Sequence, residues 1–328
     1  MRALLLTLAA GAGICAIVVA TMLRIGWSWA LDRPGERSLH SEPTPRTGGL
    51  GLILGLVSAA CAFEIIQGGW YWLETSCAVA LAGISLIDDK RGLSVQIRLV
   101  AHLTISGVYA ALVLSAGKPA HLALILLAGL GLAGFANFYN FMDGANGLAG
   151  GMAAIGFGAY AWCSAPHDLA LAAMSLALTG AALGFLPFNL KGRIFMGDSG
   201  SVPLGFLAGA LGLAGWHSGL WTWWFPLLVF APFGVDAGVT LAKRALRGDR
   251  FWQAHREHYY QRLVLMGISH GQLAAMEYTL MAGCAGAAVW ALNLGTQGQI
   301  AVFATIGVSF LAIMLMIDAR WKRFLART

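Results

Sequence analysis

Eleven stretches of about twenty mostly apolar residues follow one another along this chain, and no other feature constrains its fold as strongly. They cover 3–25, 49–66, 70–87, 97–116, 119–137, 147–164, 168–187, 200–216, 220–241, 273–293 and 297–318. A helix of roughly 20 apolar residues is long enough to cross the hydrocarbon of a bilayer. Backbone polar groups at that depth are satisfied only within helices or closed barrels, and windows of this length select helices. Hydrophobic residues make up 58% of the 328 and charged residues only 11%. Soluble domains carry about a quarter charged residues, so a soluble core could not hide this much apolar surface. The expected fold is all-α: a polytopic transmembrane helical protein of about 11 spans, forming one integral-membrane domain over 1–328. The five cysteines (Cys15, Cys61, Cys77, Cys163, Cys284) all lie in apolar windows without a C-x-x-C spacing, which reads as packing.

Lys and Arg set the expected orientation. Of the 21 basic residues, Arg2 and Lys118 fall on one side. The other 19 fall in or beside the alternate segments 24–48, 88–98, 138–146, 188–199, 242–272 and 319–328. The positive-inside rule puts those loops in the cytoplasm, with the N-terminus outside and the C-terminus inside. The first window is too long for a signal-peptide core and its basic residues follow it, so it is expected to be retained. Trp27, Trp29, Trp70, Trp72, Trp216 and Trp221 stand near window ends, as interface anchors do. The net charge of +6 is scattered over short loops, which gives no footprint for nucleic acid.

The same inner side carries every dense polar cluster: RPGERSLHSEPTPRTGG, IDDKRGLS, NFYNFMDGANG, FNLKGRIFMGDSGS and DRFWQAHREHYYQRL. A plain scaffold would have polar turns on both faces, so the crowding points to a site open to the cytoplasm. The loops expected to build it are about 32–48, 88–98, 137–147, 188–201 and 242–272.

Each cluster has its own chemistry. Asp88 and Asp89 close the third window, where a helix C-terminus already carries partial negative charge. They need a cation: either Lys90, Arg91 or Arg98, or a hard divalent ion such as Mg²⁺. Phe195 to Ser201 runs into the start of the eighth window, where glycines and hydroxyls at a helix N-terminus can cradle a phosphate and Asp198 can hold a metal, or simply cap the helix. Asn137 to Gly147 offers carboxamides and a carboxylate among glycines, suited to a flat polar group such as uracil or to an Asx-capped turn. His255 and His258, three apart, would share a helix face with Arg262 and suit a lipid phosphate or diphosphate. A third ligand at zinc spacing is not evident. The loop with Arg33, Arg37, His40 and Arg46 is either a lid or a topology anchor. Asp236, the one carboxylate deep inside a window, is either functional or paired with Lys243 or Arg244.

Taken in order, PRTGG, DDKRGLS…R, N-x-x-N-x-x-DG-x-x-GLAGG, FMGDSGS and an HxxH-type loop resemble the polyprenyl-phosphate N-acetylhexosamine-1-phosphate transferases, from about Asp32 to His270. PRTGG and NFYNFMDG look more like the members that start O-antigen and related surface polysaccharides than like the phospho-MurNAc-pentapeptide transferase of peptidoglycan synthesis. The resemblance implies transfer of a HexNAc-1-phosphate from a UDP-sugar to undecaprenyl phosphate with release of UMP, using Mg²⁺ or Mn²⁺, at a bacterial inner membrane. It implies a UDP-N-acetylhexosamine, undecaprenyl phosphate, the lipid bilayer and a second copy in a homodimer as partners. It makes Asp88 and Asp89 the paired catalytic aspartates and, with Asp198, the metal ligands. It places Asn140, Asp143 and Asn146 at the nucleotide, and His255, Arg256 and His258 at the phosphates, where the helix-N-terminus cradle read above adds Ser199. Asn146 stands where many members carry a second Asp, and HREH replaces the commoner HLHH.

In that chemistry the lipid phosphate attacks the β-phosphorus, and Asp88 or Asp89 removes a residual proton or forms a transient phospho-enzyme. The rival of another class is a divalent-ion or solute transporter. Transporters place their carboxylates near the midplane of broken helices in related halves, whereas here they cluster at helix ends without a half-to-half repeat.

Overall fold

The computed structural model describes residues 1–26, 30–32, 34, 42–117, 119–250, 253 and 255–327. Trp27, Trp29, Arg33, Arg37, His40 and Lys118 lie outside the described residues. Every one of the eleven apolar windows is helical. The first eight give α1 (Arg2–Arg24), α2 (Gly48–Ile66), α3 (Trp72–Arg91), α4 (Val95–Leu114), α5 (Leu122–Phe141), α6 (Leu148–Ser164), α7 (Leu169–Asn189) and α8 (Asp198–His217). The ninth window is broken into α9 (Phe225–Val229) and α10 (Ala231–Leu246). Pro226 and Pro232 each sit in the first turn of one of these pieces. A proline there lacks only an N–H that has no helical partner, whereas inside a continuous helix Pro232 would remove a hydrogen bond. A short helix α11 (Tyr259–Leu265) precedes α12 (His270–Ala291) and α13 (Thr296–Leu325).

The protein is an all-α, polytopic membrane protein. Helices α1, α2, α4, α5, α7, α12 and α13 are long and apolar enough to cross a membrane on length and composition. The only strands among the described residues are the antiparallel pair β1 (Leu31–Asp32) and β2 (Thr44–Pro45). Helix α8 is the centre of the bundle, with α2, α3, α4, α5 and α6 around it and nearly every side chain buried.

Close approach of α2 and α8 depends on glycine. A Cβ on Gly49 would fall 2.3 Å from the amide nitrogen of Gly200, and one on Gly200 would fall 2.7 Å from Cα of Gly49. The two helices therefore meet backbone to backbone at their N-termini. Beside that contact, the Phe195 amide donates to Pro45 O (2.8 Å), the Gly48 amide to Phe195 O (3.0 Å) and the Gly49 amide to Met196 O (2.8 Å). The PRTGG segment is thus zipped along the FMG segment.

Candidate active site

Three helix ends and one loop bring the polar clusters together in a cleft of about 940 Å³. At the C-terminus of α3, Gly92 adopts a left-handed conformation (φ 67°) and turns the chain back. Asp88 fixes that turn by accepting the Leu93 amide at 2.6 Å, and Ser94 caps α4 by accepting the Ile97 amide. The reversal sets Arg98, in the first turn of α4, 3.0 Å from Asp88. Arg98 also lies 3.6 Å from Asp198 at the start of α8.

The zipped PRTGG segment delivers the second guanidinium. Gly197 has φ 69°, and a Cβ there would lie 2.5 Å from the Arg46 carbonyl. With the two segments this close, Arg46 reaches Asp198 at 3.4 Å and Asp89 at 3.6 Å. Asp88, Asp89 and Asp198 therefore converge, joined pairwise by two arginines. Arg98 supplies the cation that a carboxylate pair at a helix end needs. Lys90 and Arg91, the other expected cations, are exposed and join none of the site's ion pairs. The sequence offered PRTGG as a motif but gave no sign that its arginine would bridge two aspartates.

The acidic wall remains under-neutralised. Three aspartates share two guanidinia, and Asp143 lines the same cleft. The Oδ2 of Asp89 is buried without a hydrogen-bond partner. Asp89 lies beyond the apolar window 70–87, and burial with Asp198 nearby pushes its pKa up to about 6. Burial, again with Asp198 nearby, raises Asp143 well above the ordinary carboxylate range. A hard divalent ion fits this donor set: oxygens only, an orphaned buried carboxylate atom, and net negative charge. Among the described residues no three His, Cys, Asp or Glu side chains already form a ligand cage, because the arginines stand between the carboxylates.

Of the residues expected at the nucleotide, Asn140, in the last turn of α5, lines the cleft and accepts the Ser201 hydroxyl at 2.6 Å. Asn146 is not on the cleft wall. Its amide faces His270 Nδ1 at 3.3 Å, and the next amide, Gly147, donates to Asn189 Oδ1 at 2.7 Å. The far end of the glycine loop is thereby tied to α7 and α12, away from the cleft. Ser199 is also displaced from its expected place. It is fully buried with an unpartnered hydroxyl, because the α2–α8 contact encloses it.

Opposite the aspartates, His255 and His258 line the cleft. They precede α11 rather than sharing a helix face, and their rings lie 4.9 Å apart. Burial, with His258 and Arg244 beside it, lowers the His255 pKa to about 4. Arg256 is exposed and lies outside the cleft lining. Arg262 points away, to Asp318 on α13 (2.9 Å) and the Trp321 ring.

Asp236 pairs with neither Lys243 nor Arg244. Lys243 bonds Asp318, and Arg244 bonds Glu257. Asp236 instead accepts the Tyr259 and Tyr260 amides at 3.0 Å each and contacts His258 Nδ1 at 3.1 Å.

A second, apolar groove of about 530 Å³ runs between α5 and α9–α10, past Leu130, Gly134 and Gly234. It reaches Phe138 and Tyr139, the residues just before Asn140 and Phe141 of the cleft.

The model of glycosyl transferase family 4 matches residues 71–215, which carry all three converging aspartates. The chain is 26% identical over 285 residues to a probable undecaprenyl-phosphate N-acetylglucosaminyl 1-phosphate transferase of Bacillus subtilis, covering 81% of this chain and 78% of the relative. It is 30% identical over 295 residues to a decaprenyl-phosphate N-acetylglucosaminephosphotransferase of Mycobacterium tuberculosis, covering 76% and 72%. Identity to a phospho-N-acetylmuramoyl-pentapeptide-transferase of Anoxybacillus flavithermus is 32% over 220 residues, covering 58% and 67%.

Proposed function

Because this chain belongs to glycosyl transferase family 4, the polyprenyl-phosphate N-acetylhexosamine-1-phosphate transferases, we propose that it moves a HexNAc-1-phosphate from a UDP-sugar onto undecaprenyl phosphate and releases UMP. That it is a glycosyl-1-phosphate transferase follows from the family. The observation that carries the finer reading is the meeting of Asp88, Asp89 and Asp198 around Arg46 and Arg98, at the edge of a cleft lined by Arg46, Arg98 and Asp198, with an apolar groove whose lining includes Phe138 and Tyr139, next in sequence to Asn140 of the cleft. A lipid phosphate and a nucleotide sugar need that pairing: a polar basin for two phosphorylated groups and a dry track for a polyprenyl chain.

Asp198, Asp88 and Asp89 would hold a divalent ion, Mg²⁺ or Mn²⁺, whose contribution when bound is to neutralise charge on the donor diphosphate. Arg46 and Arg98 sit where they can turn from the carboxylates to phosphate oxygens, to which guanidinium binds in bidentate fashion. Asn140 and Asp143 face the cleft for the nucleotide. Asp89, tied to Asp198 through Arg46, is our candidate to take a residual proton from the attacking phosphate or to attack phosphorus itself. One anhydride replaces another, so catalysis here is chiefly positioning and charge stabilisation.

The basic-residue count supports a site facing the cytoplasm of a bacterial inner membrane. We assign the reaction to the first membrane step of O-antigen or a related surface polysaccharide. Coverage favours a simple HexNAc donor over the pentapeptide reading. The N-acetylglucosamine relatives match 76–81% of this chain, and the pentapeptide transferases 58–64%. The test is purified protein with undecaprenyl phosphate and a panel of UDP-HexNAc donors (GlcNAc, FucNAc, QuiNAc), with and without EDTA, reading UMP. Release with one donor, abolished by EDTA, is expected. No UMP from any donor would end the reading.

A further inference from the structure

Asp236 has more to do than cap a helix. It is buried in α10, and its Oδ1 meets three groups: the Tyr259 amide (3.0 Å), the Thr240 hydroxyl (3.2 Å) and His258 Nδ1 (3.1 Å). Its Oδ2 accepts the Tyr260 amide at 3.0 Å. Two backbone amides can only donate, so they favour an ionised, acceptor-only carboxylate. Nδ1 of His258 must then carry the hydrogen of the fourth contact. In the neutral imidazole that assignment leaves Nε2 as the ring atom with the lone pair, and His258 lines the cleft. The ring is otherwise held by stacking on Phe141, Tyr260 and His255 at 4.9–6.0 Å.

We propose that Asp236 is a positioning residue: it fixes the tautomer and tilt of His258 so that Nε2 is presented as a hydrogen-bond acceptor to a phosphate monoester in the cleft. A monoester that still carries one proton is the matching donor, and a diester is not. The inference rests on the transfer reading for the identity of that monoester, but the tautomer itself does not. Thr240 serves as an internal control, since its hydroxyl touches the same oxygen of Asp236 without touching His258.

The experiment is a double-mutant cycle on UMP release, varying undecaprenyl phosphate and UDP-HexNAc in turn with the other saturating. Asp236→Asn is expected to lower kcat on the order of 10²-fold while KM for the UDP-sugar moves less than about threefold. His258→Ala is expected to lose a similar factor, and the double variant to be no worse than His258→Ala alone. Thr240→Val should stay within about threefold of the parent. An Asp236→Asn loss that is undiminished in the His258→Ala background would reduce Asp236 to a helix cap and overturn the proposal. So would an Asp236→Asn variant with parental activity. Should Asp236→Asn not accumulate in membranes, ¹⁵N-histidine spectra of the parent, assigned by difference from His258→Gln, decide instead. A protonated Nδ1 and a bare Nε2 on neutral His258 support the proposal, and the opposite tautomer overturns it. The spectra remain informative even if the parent releases no UMP, which would count against the transfer reading alone.

Discussion

The cleft has two unlike walls. The acidic wall is assembled from residues remote in the chain, as in the Arg46–Asp198 contact across 152 positions, and it carries more negative than positive charge. Burial, with Asp198 nearby, pushes up the pKa of Asp89 and Asp143. The histidine wall is assembled from α10 and one adjoining loop, and both oxygens of its buried carboxylate, Asp236, are engaged. Its half-buried member, His255, is pushed down to about 4 by burial and is a neutral imidazole at physiological pH. One wall therefore carries unbalanced negative charge. The other is held by Asp236 and presents two imidazole rings to the cleft.

Substitutions that leave shape intact but remove charge should separate the walls most widely. Asp198→Asn and Asp89→Asn are each expected to cut UMP release on the order of 10³-fold while the protein still inserts and purifies normally. Near-parental turnover in either would show that the acidic wall is a charge-balanced structural cluster. A smaller effect, touching neither wall, should come from the groove. A side chain at Gly134 or Gly234 meets no atom within 4 Å, so Gly134→Leu and Gly234→Leu should fold. Each fills lipid-track volume and should raise KM for undecaprenyl phosphate about 10-fold with an unchanged KM for the UDP-sugar. Equal changes in both constants would detach the groove from the acceptor.

On the histidine wall, His255→Gln keeps a neutral hydrogen-bonding side chain and should stay within about threefold of the parent at pH 7.5. A loss as large as that of Asp198→Asn would mean that a charged His255 is required, and the contrast between the walls would fail. The smallest effect is on stability, and it has opposite sign on the two walls. Asp89 is raised in the fold, so its contribution is full below 3.8 and lost as pH rises through about 6. His255 is depressed, so its contribution is full above 6.5 and lost as pH falls through about 4. Thermal unfolding in detergent without divalent ions, between pH 4 and 6.5, reads both. Relative to the parent, Asp89→Asn should make Tm climb more steeply with pH, and His255→Gln less steeply. Parallel curves for all three proteins would refute both assignments.

Much of this site could be read before folding was considered. Asp88, Asp89, Asn140, Asp143 and Asp198 stand in motifs at or beside window ends and His255 and His258 in the longest loop between windows, and helix ends are where a bundle leaves backbone groups and charges uncovered. Other residues resisted. Ser199 looked like a phosphate ligand because it follows Asp198, yet one helical step turns it under Gly49 and out of the cleft. Asn146 sits in the same motif as Asp143, but Asn189 and His270 hold that end of the loop elsewhere. Asp236 suggested pairing with its own helix, and its partners proved to be the next helix's first amides and His258. The ninth window showed no interruption in hydropathy, and only its two prolines hinted at the break near Phe230.

By itself the sequence determined the solvent, the helical class and the chemical types that gather at helix ends and in the loops between them. Each of these is a sum over some twenty consecutive residues, or a short motif, and needs no knowledge of neighbours. Which of those residues touch was decided by the tertiary structure. Contacts such as Arg46 with Asp198, or Asp236 with His258, depend on how closely two backbones pass and on how a loop is turned. Glycine faces and capping hydrogen bonds set those distances to within an ångström, a scale at which hydropathy along the chain carries no information.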